Sequence, residues 1–350
     1  MEVKDPKTHD GAVPLHFTAK GGILENCDFL IKNVSDINPV NLIGWTPLHL
    51  AVSRGHLSIC HLFIENGVNK SSRTTRGITP IHIAAQFGNF RLYEYLFSKT
   101  LEANSSANAA VNTNNNGWTA LHSAAQEGHI QICKFIMTKI VDKNPRREVD
   151  GITPLHIAAI KGNIDLCLAL MKDNQIVNPR NNWGNTPLHY AAQKGDFKVY
   201  ELISEGSQVI NPIDNFGKTP LHYAAQHGNL FICQFILENT IIKNPKLLVD
   251  KVTPLHLAAS NGHWKICQLF FEHLNKLKGY ASKNPEDSKG DTPLHCAANY
   301  GHILVCWIIL DNIEDKNPLN DEGLTPFDLA LKKDFFAICN LISSSDGMEL

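Results

Sequence analysis

The sequence predicts an all-α repeat array, and three observations carry that prediction. First, a phrase centred on Thr-Pro-Leu-His recurs through the 350 residues. It is intact at Thr46, Thr153, Thr186, Thr219, Thr253 and Thr292, and varied at Val13 (VPLH), Thr79 (TPIH), Thr119 (TALH) and Thr325 (TPFD), ten copies in all. Second, successive copies stand 33, 33, 40, 34, 33, 33, 34, 39 and 33 residues apart. Third, each copy carries the letters of two short helices joined by a turn. A fixed period of this kind marks units that bury their apolar faces only by stacking on their neighbours.

The copy from Asn211 to Thr240 shows how each element is derived. Asn211-Pro212 starts a turn, because Pro fixes φ and the Asn side chain can bond nearby backbone. Ile213 to Gly217 forms a hairpin tip, with Gly217 able to take positive φ. Thr219 is the natural N-cap, and Pro220 takes the first helical position, where a missing N–H costs nothing. Leu221, Ala224 and Ala225 make a short first helix with small residues for close stacking, and Gly228 ends it. Leu230, Ile232, Cys233, Phe235, Ile236 and Leu237 make a second helix whose broad apolar face touches copies on both sides.

The Asn-Pro turn recurs at Asn38, Asn144, Asn178, Asn211, Asn244, Asn284 and Asn317, with Asp5-Pro6 at the same offset in the first copy. The third and fourth copies lack it and are expected to have looser hairpins. The two long spacings place additions near KTLEANSSANAAVN, a polar surface loop, and near FFEHLNKLKGYASK, a second helix lengthened by a turn and ending near Gly279. The last copy departs from the phrase: Asp328 replaces the His, Asp334 replaces the Gly that closes the first helix, and Lys332 and Lys333 add charge.

The recurring T-P-L-H-x-A at a period near 33 resembles the ankyrin repeat, over nearly the whole chain. The resemblance implies a right-handed all-α solenoid of ten helix–turn–helix units with β-hairpin fingers. At roughly 10 Å per unit this is a curved rod about 100 Å long. The array is expected over 1–343, with approximate repeats 5–37, 38–70, 71–110, 111–143, 144–177, 178–210, 211–243, 244–283, 284–316 and 317–343, then a short polar tail over 344–350. By the same resemblance the motif His is a structural staple for the motif Thr. The TPFDLA copy looks like a C-terminal cap, which predicts a stop at Leu350.

Composition excludes several function classes. The net charge of −2 gives no general bias toward nucleic acid or anionic membrane. No apolar run approaches a membrane span, and MEVKDPKTHDG is not a secretory signal. Eight of the nine cysteines lie 14 residues after the first position of the motif, and Tyr93 and Tyr200 fill that slot in the other two copies. A slot shared by Cys and Tyr is a packing slot, so a ladder of reduced, buried thiols is expected. No Cys-x-x-Cys suggests zinc. The thiols point to a cytoplasmic or nuclear protein. Of 17 histidines, nine belong to the motif and, at one per copy, cannot converge on a metal. No nucleophile elbow, phosphate-binding glycine loop or His-Glu-x-x-His appears, so neither an enzyme nor a cofactor is expected.

What varies is the surface. In ankyrin repeats the fingertips and the positions after the first-helix Ala pair line a concave groove for partners. Trp183 and Phe216 hold the same tip position in adjacent copies, flanked by Arg180, Lys194 and Lys218, with Gln193, Gln226 and His227 nearby on the helix face. Aromatic residues and Arg dominate interface energetics, so this group is the first candidate for partner binding. Arg73 and Arg76 form the second. Arg146 and Arg147 extend that basic end, against Glu286, Asp287, Asp291, Asp321 and Glu322 toward the C-terminus. Trp45 and Trp118 precede the motif Thr and are read as hairpin packing. The expected function is a monomeric, non-catalytic scaffold or adaptor for other proteins. The alternative is a cytosolic regulatory or assembly module of a larger membrane or signalling protein. A third reading is an asparaginyl hydroxylase substrate at Asn38 or Asn178, against which the following Pro weighs.

Overall fold

The computed structural model describes residues 6–103, 113–172, 177–276 and 283–346. These contain twenty helices in ten successive pairs and no strand. They form two compact units, divided between Ile176 and Val177. In each unit the first helices stack on one another and the second helices form a layer behind them. The first unit stacks Pro14–Gly21, Pro47–Arg54, Pro80–Gln86, Ala120–Glu127 and Pro154–Lys161. The second stacks Pro187–Lys194, Pro220–His227, Pro254–Ser260, Pro293–Asn299 and Pro326–Lys332.

The start of each first helix is a reciprocal cap that extends into the next copy. In the second copy, the Thr46 amide donates to His49 Nδ1 at 3.1 Å, the Thr46 hydroxyl meets the same nitrogen at 2.7 Å, and the His49 amide returns to Thr46 Oγ1 at 3.3 Å. His49 Nε2 then reaches the Ile78 carbonyl at 3.3 Å. An amide can only donate and a carbonyl can only accept, so Nδ1 is bare and Nε2 carries the hydrogen. The same ring links His16 to Trp45, His82 to Trp118 and His122 to Ile152 in the first unit. In the second unit it links His189 to Lys218, His222 to Val252, His256 to Asp291 and His295 to Leu324. Burial pushes His49 and His122 down to about 4 and His222 to about 3, and also lowers His16, His256 and His295.

A second set of bonds runs back to the preceding copy. His56, His129, His263 and His302 donate through Nε2 to the carbonyls of Lys20, Gln86, Gln226 and Ser260, at the ends of the preceding first helices. The closing glycine is required for two reasons here. Gly88 has φ 74°, and a Cβ on it would stand 2.4 Å from the His129 ring. In the last copy Asp328 accepts from the Thr325 amide at 2.9 Å and hydroxyl at 2.7 Å, so it keeps the local cap. It has no second ring nitrogen with which to reach a following copy.

Several expectations are corrected. The fingers contain no strand among the described residues. Each is a turn closed on itself, and seven are tied to the previous finger by one backbone bond, as in Asn215 to Trp183 and Leu248 to Phe216. The third and fourth fingers are not looser. Thr74 to Ile78 and Asn114 to Trp118 close at 2.9 Å, against 2.8 Å for Asp214 to Lys218. In three copies the Asn of the Asn-Pro turn acts at longer range than expected: Asn211 Oδ1 accepts from the Leu221 amide at 3.0 Å, as Asn244 and Asn317 do from Leu255 and Phe327. These amides are among the unpaired donors of a helix N-terminus. The first addition begins as helix, since the second helix there runs Phe90–Ala103; residues 104–112 lie outside the described ones. At the second addition the helix Trp264–Leu274 stops before Gly279, and 277–282 lie outside the described residues. Sequence reasoning also missed Lys143, Lys243 and Lys316. Each ammonium donates to two carbonyls at the end of a second helix, where a cation is favoured.

All nine cysteines are free thiols, and the eight in the packing slot are buried. Burial raises Cys60, Cys133 and Cys306 to about 12. The two tyrosines in that slot differ. The Tyr200 hydroxyl donates to the Ile210 carbonyl at 2.7 Å, whereas the buried Tyr93 hydroxyl has no partner.

Three outcomes follow from this packing. His49, His122 and His222 titrate near 6.5 when unfolded and at about 4, 4 and 3 when folded, so the unfolded chain binds more protons between about pH 6.5 and 4. Each costs roughly 1.4 kcal/mol per pH unit across that window. Urea midpoints followed by circular dichroism should therefore fall continuously from pH 6.5 toward 5; a flat profile would contradict the neutral staple. Tyr93→Phe removes an unpaired buried hydroxyl and should leave the midpoint equal or higher, while Tyr200→Phe should lower stability by about 1 kcal/mol. Cys233→Ser puts a hydroxyl into a packed apolar interface and should cost roughly 1–3 kcal/mol, read from the same urea midpoints.

Candidate functional site

The fingertips are shaped by buried polar side chains that the sequence reading did not single out. In the sixth copy Asn181 is buried, and its Oδ1 accepts from the Trp183 amide at 3.0 Å and the Asn185 amide at 2.9 Å. Its Nδ2 donates to the Tyr190 hydroxyl at 2.9 Å. In the seventh copy buried Asp214 does the same for Phe216 and Lys218, both at 2.8 Å. Gly184 and Gly217 complete these turns at φ 79° and 81°. An Asn or Asp that folds the backbone around its own carboxamide or carboxylate in this way places the residue two positions on at the apex. The apex residues are Trp183 and Phe216, 47% and 60% exposed.

Trp183 and Phe216 stand on neighbouring fingers, tied by the Asn215 amide to the Trp183 carbonyl at 3.0 Å and by Asn215 Nδ2 to the Asn182 carbonyl at 3.0 Å. Ile213, Leu248 and Val249 are exposed on the same run of fingers. The cations predicted to flank them divide into two groups. Lys194 is exposed at the end of its helix, beside exposed Gln193. Lys218, by contrast, is half-buried. Its Nζ donates to Gln226 Oε1 at 2.9 Å and lies 4.1 Å from the centre of the Tyr223 ring, and burial lowers its pKa. Lys218 and Gln226 therefore act as one bonded unit. Arg180 turns toward the next finger, 3.5 Å from Asn215 Oδ1. His227 is exposed, and its pKa is lowered by partial burial and by nearby Lys218 and His263.

In the first unit, Arg73 occupies the place that Arg180 holds in the second, and donates to the Thr113 carbonyl at 2.8 Å. Arg76 stands at the tip of the third finger and lines a groove of 440 Å³ that continues along Gln86, Trp118, Gln126, Glu127 and Arg147. Trp118 was expected to serve hairpin packing alone. It packs near His122, with ring centres 5.8 Å apart, and the Arg147 guanidinium lies 5.5 Å from its ring centre. It also forms part of the groove wall. Arg147 is itself paired with buried Asp150. The structure thus brings Trp183 and Phe216 onto adjacent fingers and puts Arg76 in a groove of its own.

Among the described residues no group of three or more His, Cys, Asp or Glu side chains is arranged to hold a metal ion. No described helix is long and apolar enough to cross a membrane.

A family model described as ankyrin repeats (3 copies) matches residues 1–74, 61–147, 136–212, 198–278 and 272–350. A comparison with curated proteins found no match. Ankyrin repeats are generally protein–protein interaction modules. With matches that together span residues 1–350 and the stacked helix pairs described above, the chain belongs to the ankyrin-repeat family.

Proposed function

We propose that this protein is a non-catalytic scaffold or adaptor that binds another protein through its fingertips and first-helix face. The observation that carries the reading is the pair of exposed aromatic apices, Trp183 and Phe216, on adjacent fingers whose turns are held by buried Asn181 and Asp214. Large aromatic side chains on a rigid support lose little entropy on binding and are the usual anchors of an interface. Arg180 and Lys194 supply positive charge beside them, and the Lys218–Gln226 pair with Gln193 and His227 supplies polar contacts at the rim. The nine free thiols support a reducing compartment, cytoplasmic or nuclear. The chain acts as a monomer, and its partner is a protein and not a nucleic acid, in keeping with a net charge of −2.

Because both apices are exposed and their turns are held by other residues, Trp183→Ala/Phe216→Ala should keep the circular dichroism spectrum and thermal midpoint of the wild type. Affinity capture from cell extract, compared between the two proteins by mass spectrometry, should lose a partner in the variant. Binding of that partner should weaken by more than tenfold, about 2 kcal/mol or more for an anchor of this kind. An unchanged set of captured proteins would remove these fingers from the interface.

A further inference from the structure

We infer that the groove around Arg76 and Trp118 in the first unit is a second recognition site, one that takes the carboxylate side chain of an extended acidic peptide. The inference rests on the protein-binding reading above but concerns a different place, and it names the chemistry of the partner.

The argument is an account of charge. Two arginines line the groove, Arg76 from the third finger and Arg147 from the fifth. Arg147 is paired with Asp150, while Arg73 turns to the Thr113 carbonyl and is not part of the lining. Arg76 is exposed, and no carboxylate lies beside its guanidinium among the described residues. Its own finger is held by backbone, since the Asn115 amide donates to the Arg76 carbonyl at 3.0 Å; the side chain is left to face the groove.

The groove around it is built for a planar acceptor. Gln86, Gln126 and Asn114 bring carboxamides to the 440 Å³ space, and the Trp118 ring forms an apolar wall. His82 cannot supply a positive charge, because its Nδ1 is occupied by the Thr79 cap and its Nε2 donates to the Trp118 carbonyl at 3.1 Å. One uncompensated guanidinium, carboxamide donors and a flat aromatic wall suit a single carboxylate, which Arg binds through two parallel bonds. A phosphate, with close to two negative charges at neutral pH, is a poorer match. The second arginine is already neutralised by Asp150, and Glu127 on the wall repels a dianion more strongly than a single carboxylate. Asp or Glu of an extended segment is the occupant, with an apolar neighbour against Trp118.

The test selects short random peptides by display on the full-length chain. Affinities of the enriched peptides are then measured by fluorescence anisotropy for wild type, Arg76→Gln and Trp183→Ala/Phe216→Ala. The expected result is an enriched set sharing an Asp or Glu, whose binding falls about tenfold in Arg76→Gln. Replacing that acid with its amide should weaken wild-type binding by a similar factor and leave Arg76→Gln binding unchanged. Enriched peptides without a common acid, equal binding by Arg76→Gln, or no enrichment would each overturn the site. Tighter Arg76-dependent binding when phosphoserine replaces the acid would overturn the carboxylate assignment. Loss only in Trp183→Ala/Phe216→Ala would overturn the second site and leave the protein-binding reading standing. Arg76→Gln changes an exposed side chain and keeps the backbone bonds of its finger, so the thermal midpoint of the wild type should be retained.

Discussion

The array depends on a neutral imidazole that bonds in two directions. Within each unit the motif His accepts from the cap of its own helix and donates to the carbonyl just before the next cap, as His49 and His222 do. One side chain therefore sets both the start of a helix and its distance from the neighbouring copy. Both functions need the same tautomer, so a proton added to Nδ1 would face an N–H. Burial enforces this state by disfavouring the charged ring. The stack is held by polar bonds that last only while their histidines stay uncharged.

Glycine and the Asn or Asp of the sixth and seventh tips do the complementary work on the backbone. Gly88 and its equivalents allow the next copy to press against a left-handed turn that a side chain would obstruct. The tip residues Asn181 and Asp214 are buried although they sit in exposed fingers. Their acceptors hold amides two and four positions on, which leaves the side chain two positions on facing outward. A rigid finger carrying an unconstrained apex side chain is a support on which surface chemistry can change without disturbing the stack.

Much of the candidate site was legible because its framework repeats. Subtracting the invariant phrase left Trp183, Phe216, Arg180 and Arg76 as surface letters, and the structure leaves all four exposed. Lys218 and Trp118 were harder to place. Lys218 looks like a free cation in one dimension but packs onto Tyr223 and Gln226, five and eight residues away on the helix that follows it. Trp118 was assigned to packing because it precedes the Thr cap. It does pack near His122, yet its ring also lines the groove beside Arg147 of the next copy. The lysines that close second helices escaped notice because their partners are carbonyls, which carry no letter in a sequence.

The sequence by itself determined the starts of the first helices, the period and the buried Cys or Tyr slot. Each depends on residues a few positions apart, where backbone geometry leaves little choice. Only the tertiary structure decided which charges are spent and which are available. Arg73 finds its acceptor 40 residues away, and Arg180 turns toward an Asn 35 residues away, both on the next finger. Arg147 finds Asp150 within its own finger, a pairing that depends on how that turn folds. Arg76 differs from Arg147, the other arginine of its groove, in having no ion pair among the described residues. Compensation of charge is a property of neighbours in space, and stacking brings together residues that the period keeps one full copy apart.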